Sequence, residues 1–286
     1  MSDDSQGRQV TVIIPAYNAE DVLGQQLQAL ARQTSAPNWE ILVADNGSTD
    51  RTADVAQSWA DKGLPVRVID ASGRPGAAHG RNCAAAVATT PILLFCDADD
   101  EVTEIWAREL LSGLEHASIA GGRADRRTLN QRGAWTYPKE TPHNYPFVGG
   151  GNMAIGRHDF QQLLGFDESM IHGGEDIELC YRAQRSGMTV TTVDAVVYRL
   201  RARSGLKAAF HQATRDGRGT VHLVVMHGHE IIPKRSPMVL VRKVAWLASR
   251  APLAVVSGPH RTLWSYRIGH LIGLIQGWRL FRTMAW

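Results

Sequence analysis

The first hundred residues alternate between two signatures that few architectures can accommodate together. Apolar runs at 10–16, 40–45, 66–70 and 92–97 (VTVIIPA, EILVAD, VRVID and ILLFCD) end in turn residues and fit buried strands. Between them Leu23, Leu27 and Leu30 recur at helical spacing, Asn46–Asp50 supplies turn and N-cap chemistry before a helix through Trp59, and small residues run from Arg81 to Ala88. Parallel neighbours need crossover connections, so this alternation predicts an α/β fold with a mostly parallel sheet flanked by helices. Pro15 is expected to break the first strand. Ligands of such sheets gather beyond the carboxyl ends of the strands, where Tyr17, Asn18, Asp45, Asp70 and Asp97 all fall.

Four carboxylates close the fourth run: Asp97, Asp99, Asp100 and Glu101. Packed this closely they repel one another unless a cation or water relieves them. On an extended backbone Asp97 and Asp99 point the same way, and two hard oxygen donors suit Mg²⁺ or Mn²⁺ with substrate phosphates completing the shell. A D-x-D in isolation is more often a solvated turn, but these acids end an apolar strand, which favours a metal cradle. Asp100 and Glu101 are expected to complete the turn and begin the next helix. Asp45, beside Tyr17 and Asn18, can accept an N–H from a nucleobase, with capping of the following helix as the alternative. His79 and Arg81 follow a Gly-rich loop and can meet a diphosphate at a helix N-terminus, although an ordinary surface arginine is nearly as good a reading. Glu175 and Asp176 follow Gly173-Gly174 at a helix start, placed to take a proton from an acceptor hydroxyl or simply to complement the helix dipole. Glu178 fits the dipole role, and His172 reads as a loop histidine.

The bulk composition excludes several classes. Three distant cysteines without a C-x-x-C suggest neither a disulfide framework nor structural zinc. The polar N-terminus is not a secretory leader, and no run of about 18 apolar residues is free of charge, so a cytoplasmic protein is expected. The net charge of +3 conceals an asymmetry: after Glu230 there are nine Lys and Arg and no acid, leaving −6 (+3 less nine) for everything before. In that last segment Trp264, Ile268, Leu271, Ile275 and Trp278 form an apolar helical stripe. It can dock on the rest of the protein, mediate a homodimer, or contact the inner face of a membrane peripherally. Nucleic-acid binding would explain the basic tail but not the acidic strand ends. The expected divisions are 8–200 for the catalytic domain and 201–286 for a basic helical extension.

Read together and in order, VIIPAYN, VADNGSTD, GRNCAAAVATTPILLFCDADD, GGGNMAI, GFDE and GGEDIELCYRAQRSGM resemble glycosyltransferase family 2 over roughly residues 8 to 200. The resemblance implies a GT-A (Rossmann-like) fold and an inverting enzyme, UDP-sugars being the family's usual donors. It implies that Asp45 contacts the base and that Pro15, Ala16, Tyr17, Asn18, Arg81 and Ala98 complete the donor-nucleotide site. Asp97 and Asp99 would hold Mg²⁺ or Mn²⁺, and Asp176 would be the catalytic base. Gly150, Gly151, Asn152 and Glu175 would lie on the acceptor side, where the acceptor is a carbohydrate, a lipid-linked molecule or a small molecule. Two departures matter. The Gln-x-x-Arg-Trp motif of processive synthases is absent, which favours a single transfer. Tyr198-Arg199 stands where many relatives carry a histidine, which puts a third protein ligand to the metal in question. A segment near 198–219 resembles a basic stretch of some actinobacterial relatives. Two rivals remain: a polyprenyl-phosphate sugar transferase, and a non-catalytic nucleotide-sugar-binding protein.

Overall fold

The computed structural model of the protein describes residues 9–34, 38–125, 143–199, 206–234, 236–256 and 258–281. It divides into two compact units. The first comprises Met1–Arg132, Pro146–Ser169 and Glu175–Arg201; the second comprises Gly133–Tyr145, Met170–Gly174 and Ala202–Trp286.

In the first unit the four apolar runs become β1 (Val10–Ala16), β2 (Trp39–Asp45), β3 (Val66–Asp70) and β4 (Ile92–Cys96), all parallel, in spatial order β3-β2-β1-β4. The sheet continues through β7 (Asn152–Gly156), β6 (Ile119–Asp125) and β8 (Val190–Arg199) to β5 (Asp100–Val102). β7 runs antiparallel to β4 and β6, whereas β6 and β8 are parallel. Pro15 does not break β1. Pairing with β4 ends at Ile13, while pairing with β2 continues through Pro15 to Ala16. Asp100 and Glu101 depart from expectation too: they start no helix but form β5, paired antiparallel with Arg199 and Tyr198 of β8.

Period-two alternation sorts the strand side chains between two cores. Val10, Val12, Ile14, Ile41, Val43, Leu94 and Cys96 face one side. There they meet α1 (Leu23–Ala31) and Trp106 of α4 (Trp106–Leu114). Ile13, Leu42, Leu93 and Phe95 face the other side, against α3 (Ala77–Val87), α5 (Arg157–Gln162) and α6 (Glu175–Arg185). The remaining helix of this unit, α2 (Thr52–Ala60), adds Ala56 to the first core. With both faces covered, the strands need be continuously apolar except at their ends, and that is where the polar residues stand.

The second unit is built on α7 (Leu206–His227), α8 (Pro237–Val256) and α9 (Gly258–Phe281). Glycines let the backbones of α7 and α9 approach closely: a Cβ at Gly273 would fall 2.3 Å from the Thr214 carbonyl oxygen, and one at Gly269 2.5 Å from that of Phe210. The Tyr266 hydroxyl donates to Asp216 at 2.9 Å across this pair. The stripe expected on α9 is mixed, with Trp264, Ile268 and Leu271 half-buried and only Ile275 and Trp278 exposed. Residues 172–173 lie on Gly219 of α7, where a Cβ would approach the Gly173 carbonyl to 2.4 Å. Burial, and then Arg218, Arg215 and His222, lower the pKa of His172.

Candidate active site

The ends of β1, β2 and β3 are tied into one platform by short polar side chains. Register sets Ala16 beside Asp45, and Asp45 beside Asp70. Asn18 adopts a left-handed backbone (φ 46°), which Asn tolerates better than most residues. Its side-chain oxygen accepts the Thr49 N–H (2.8 Å), and its own N–H donates to Ser48 Oγ (3.0 Å). The Asn-Gly-Ser-Thr-Asp turn therefore does more than begin a helix, because it clamps the end of β1. Asn46 extends the platform, donating to the carbonyls of Ala71 (2.5 Å) and Arg74 (2.7 Å) and accepting the Gly76 N–H (2.7 Å). Asp45 accepts the Ser48 N–H at 2.9 Å, so one of its oxygens does serve the turn. Ser72 hydrogen bonds hold the Asp70 carboxyl below its ordinary pKa. Tyr17, the residue that follows β1, is 60% exposed.

The end of β4 carries the charge. Asp97 and Asp99 are half-buried while Ala98 and Asp100 are buried, but the D-x-D is not extended as expected: Ala98 and Asp99 form a turn that the Asp100 N–H closes on the Asp97 carbonyl (3.3 Å). Arg81, in the second turn of α3, is 3% exposed and reaches two carboxylates, Asp97 Oδ1 at 2.8 Å and Glu175 Oε1 at 3.1 Å. Burial opposes its charge, but Asp97 and then Glu175 hold the guanidinium above its ordinary pKa. Its Nε has no hydrogen-bond partner. The glycine loop 149–151 passes between these groups. A Cβ at Gly150 would stand 3.2 Å from Arg81 Nη1, and one at Gly151 would lie 2.2 Å from Asp97 Oδ2. At this loop the Gly150 N–H donates to Asp176 Oδ2 (3.2 Å), and Ile177 N–H donates to Asp176 Oδ1 (2.9 Å). Burial, then the neighbouring Glu175 charge, push the Asp176 carboxyl up to about 6 against these two N–H groups and Arg81.

The structure thus brings together Arg81, Asp97, Gly150, Gly151, Glu175 and Asp176 in one constellation, with Pro15, Ala16, Tyr17, Asn18 and Asp45 on the adjoining strand ends. Asn152 is turned away. Its side chain accepts from Trp106 Nε1 (2.9 Å) and donates to the carbonyls of Ala195 (2.9 Å) and Arg123 (3.3 Å), all of it scaffold. His79 is pinned as well, its Nδ1 2.9 Å from Glu168 Oε2. Asn82 donates to Glu168 Oε1 and to the Phe166 carbonyl, which accounts for the Gly-Phe-Asp-Glu stretch. Glu178 is the buried partner of Arg182 (2.6 Å), whose guanidinium also caps the carbonyls of Leu163 and Gly165.

Asp97 and Asp99 form a hard oxygen donor pair at the mouth of an apolar strand, with Asp97 resting on a position only glycine can fill. This pair fits Mg²⁺ or Mn²⁺, which draws most of its shell from phosphate and water. Among the described residues no group of three or more His, Cys, Asp or Glu converges as a protein cage.

A doubly covered sheet with this strand-end site defines the GT-A class, and solved structures of that class superpose on it. A mannosyltransferase from Pyrobaculum calidifontis, solved with GDP-Man and Mn²⁺, matches with a TM-score of 0.67 at 19% identity, covering 94% of this chain and 86% of its own. The chain belongs to glycosyl transferase family 2, whose profile matches residues 11–171, and the profile of glycosyl transferase family group 2 matches 124–286. Validoxylamine A glucosyltransferase of Streptomyces hygroscopicus subsp. limoneus is 28% identical over 224 residues, 64% of this chain and 49% of that protein. The chain therefore spans about half the length of this relative. A UDP-Glc:alpha-D-GlcNAc-diphosphoundecaprenol beta-1,3-glucosyltransferase of Escherichia coli is 34% identical over 91 residues, 32% of this chain and 35% of that protein.

Proposed function

We propose that this protein is a metal-dependent inverting glycosyltransferase that moves one sugar from a nucleoside-diphosphate sugar, UDP-linked by preference, to an acceptor hydroxyl. The observation that carries the reading is the bridge made by Arg81, which joins the candidate metal carboxylate Asp97 to the Glu175-Asp176 pair. Diphosphate chemistry and proton removal belong at opposite ends of such a bridge. Tyr17 offers its ring to the base and Asp45 a carboxylate oxygen. Asp97 and Asp99 would hold Mg²⁺ or Mn²⁺, which supplies Lewis-acid neutralisation of the diphosphate. Arg81 adds a fixed positive charge beside it. Asp176, held by two backbone N–H groups, receives the proton of the acceptor hydroxyl as that oxygen attacks the anomeric carbon. The bond from that carbon to the phosphate oxygen breaks, the nucleoside diphosphate leaves, and the configuration inverts. Gly150 and Gly151 line the approach without side chains, and Asn152 secures them from behind.

A polyprenyl-phosphate acceptor is the second reading, favoured by the basic, acid-free segment after Glu230. A phosphate oxygen needs no general base, so the Asp176→Asn variant separates the two. Loss of turnover with retained donor binding supports hydroxyl transfer, and retained turnover supports the phosphate acceptor.

The direct test is calorimetric titration of UDP, GDP and dTDP with Mn²⁺ and with EDTA. Metal-dependent binding of one nucleotide, abolished by Asp97→Ala or Asp99→Ala, is expected. Metal-independent binding of all three would defeat the cradle.

A further inference from the structure

Between Ile231 and Trp286 the chain has nine Lys and Arg and no Asp or Glu. Within that stretch α8 presents its apolar residues outward. Met238 is 55% exposed, Val241 59% and Val244 49%, and Ala245 and Ala248 are exposed as well. At 100° per residue these five occupy one arc about 120° wide, the width of the stripe a surface helix ordinarily turns toward its core. Arg242 borders that arc and is exposed, whereas Arg250 lies on the opposite side of the helix. The other side of α8 is already occupied. Leu247 is buried and its carbonyl accepts from Trp264 Nε1 of α9 (2.9 Å), while the Trp246 ring lies under the Arg267 guanidinium at 3.8 Å. The apolar arc is therefore not the packing face of this helix pair. On α9, Ile275 and Trp278 are exposed one turn apart with Arg279 beside them.

We propose that the outward face of α8 is a lipid-docking surface, seated on the headgroup region of an anionic bilayer with Arg242 at the phosphates. Charge complementarity selects this occupant. A second copy would set Arg242 against Arg242 and one acid-free segment against another, whereas an anionic leaflet attracts the net positive charge of the segment. The arc is apolar enough to enter the interface but does not cross it: among the described residues no helix is long and apolar enough to span a membrane. Docking is therefore interfacial, driven by buried apolar area together with attraction to anionic lipid. This inference is independent of the transfer chemistry.

The test is flotation of the full chain with vesicles of phosphatidylcholine alone and of phosphatidylcholine with 30% phosphatidylglycerol, roughly the anionic regime in which basic segments are held. Partition onto the anionic vesicles at least tenfold above the neutral ones is expected, weakening with salt. The double variant Val241→Asp/Val244→Asp should lose that binding while its circular dichroism and unfolding midpoint stay as in the parent, since both side chains already face solvent. Arg242→Glu should weaken it as well. Absence of binding overturns the proposal. So does loss on charge reversal alone, which would leave a purely electrostatic contact with no role for the apolar arc. Light scattering that shows a dimer dissolved by the Val241/Val244 variant would also overturn it, because the face would then be a protein interface.

Discussion

The two ends of the candidate site are built on opposite principles. At the Tyr17–Asp45 end, neutral hydrogen bonds through Asn18, Asn46 and Ser48 fix the backbone, and the ring that would meet a ligand is left exposed. At the Asp97–Asp176 end, charges are half-buried and hold one another in place through Arg81. The first end is a rigid frame that a ligand can leave without consequence for the fold. The second is a network in which removing one member strands the others. Function and stability should therefore separate at the first end and entangle at the second.

The sharpest break in that contrast is Asp176→Asn. Turnover should fall by roughly 10²–10⁴, the usual contribution of a positioned base, while nucleotide affinity is unchanged. Equal loss of binding and turnover would make Asp176 a structural member of the network. Next comes Arg81→Met, which leaves Asp97 and Glu175 without their cation and should cost about 3–5 kcal/mol in denaturant unfolding. A variant as stable as the parent would mean that water already compensates the carboxylates. Tyr17→Ala belongs to the other end. It should weaken nucleotide binding by about 1–3 kcal/mol, the usual contribution of one stacked base, without moving the unfolding midpoint. The mildest test is pH. With Asp176 raised to about 6, activity should climb as pH rises through that value and then level off, and below it each unit should reduce the rate about tenfold. The linkage runs the other way for stability. The folded pKa lies above the ordinary carboxylate value of 3.8, so the fold favours the protonated form and loses stability as pH rises from there through about 6. Flattening of both profiles in Asp176→Asn would assign them to this group.

Much of this contrast was written in the chain. Short apolar runs alternating with helical spacing favour strands covered on both faces, and their polar ends mark where a site would lie. Ile13 and Ile14 illustrate it, adjacent in sequence yet assigned to opposite cores by the pleat alone. What sequence could not supply was each partner across long separations. Asp100 becomes a strand because it meets Arg199, and nothing local to the D-x-D announces that pairing. Asn152 sits in a glycine-rich loop that suggests contact with an acceptor, but the Trp106 indole draws it inward. Arg81 was visible as a cation after a glycine-rich turn, yet its role depends on Glu175, 94 positions away. The outward face of α8 was missed for a related reason, since helical spacing marks an apolar arc without revealing whether anything covers it.

The bridge made by Arg81 also bears on how a ligand arrives. The guanidinium pairs with two carboxylates, Asp97 and Glu175, and lies within electrostatic reach of a third, Asp176. A diphosphate that arrives here without a divalent ion competes with Asp97 and Glu175 for one guanidinium, and a divalent ion carried with it would relieve that competition. The expected encounter is therefore ordered by charge: the diphosphate should bind more weakly in EDTA than with Mn²⁺. Arg81 holds Asp97 and Glu175 together between visits, and it is the charge that an arriving diphosphate must share.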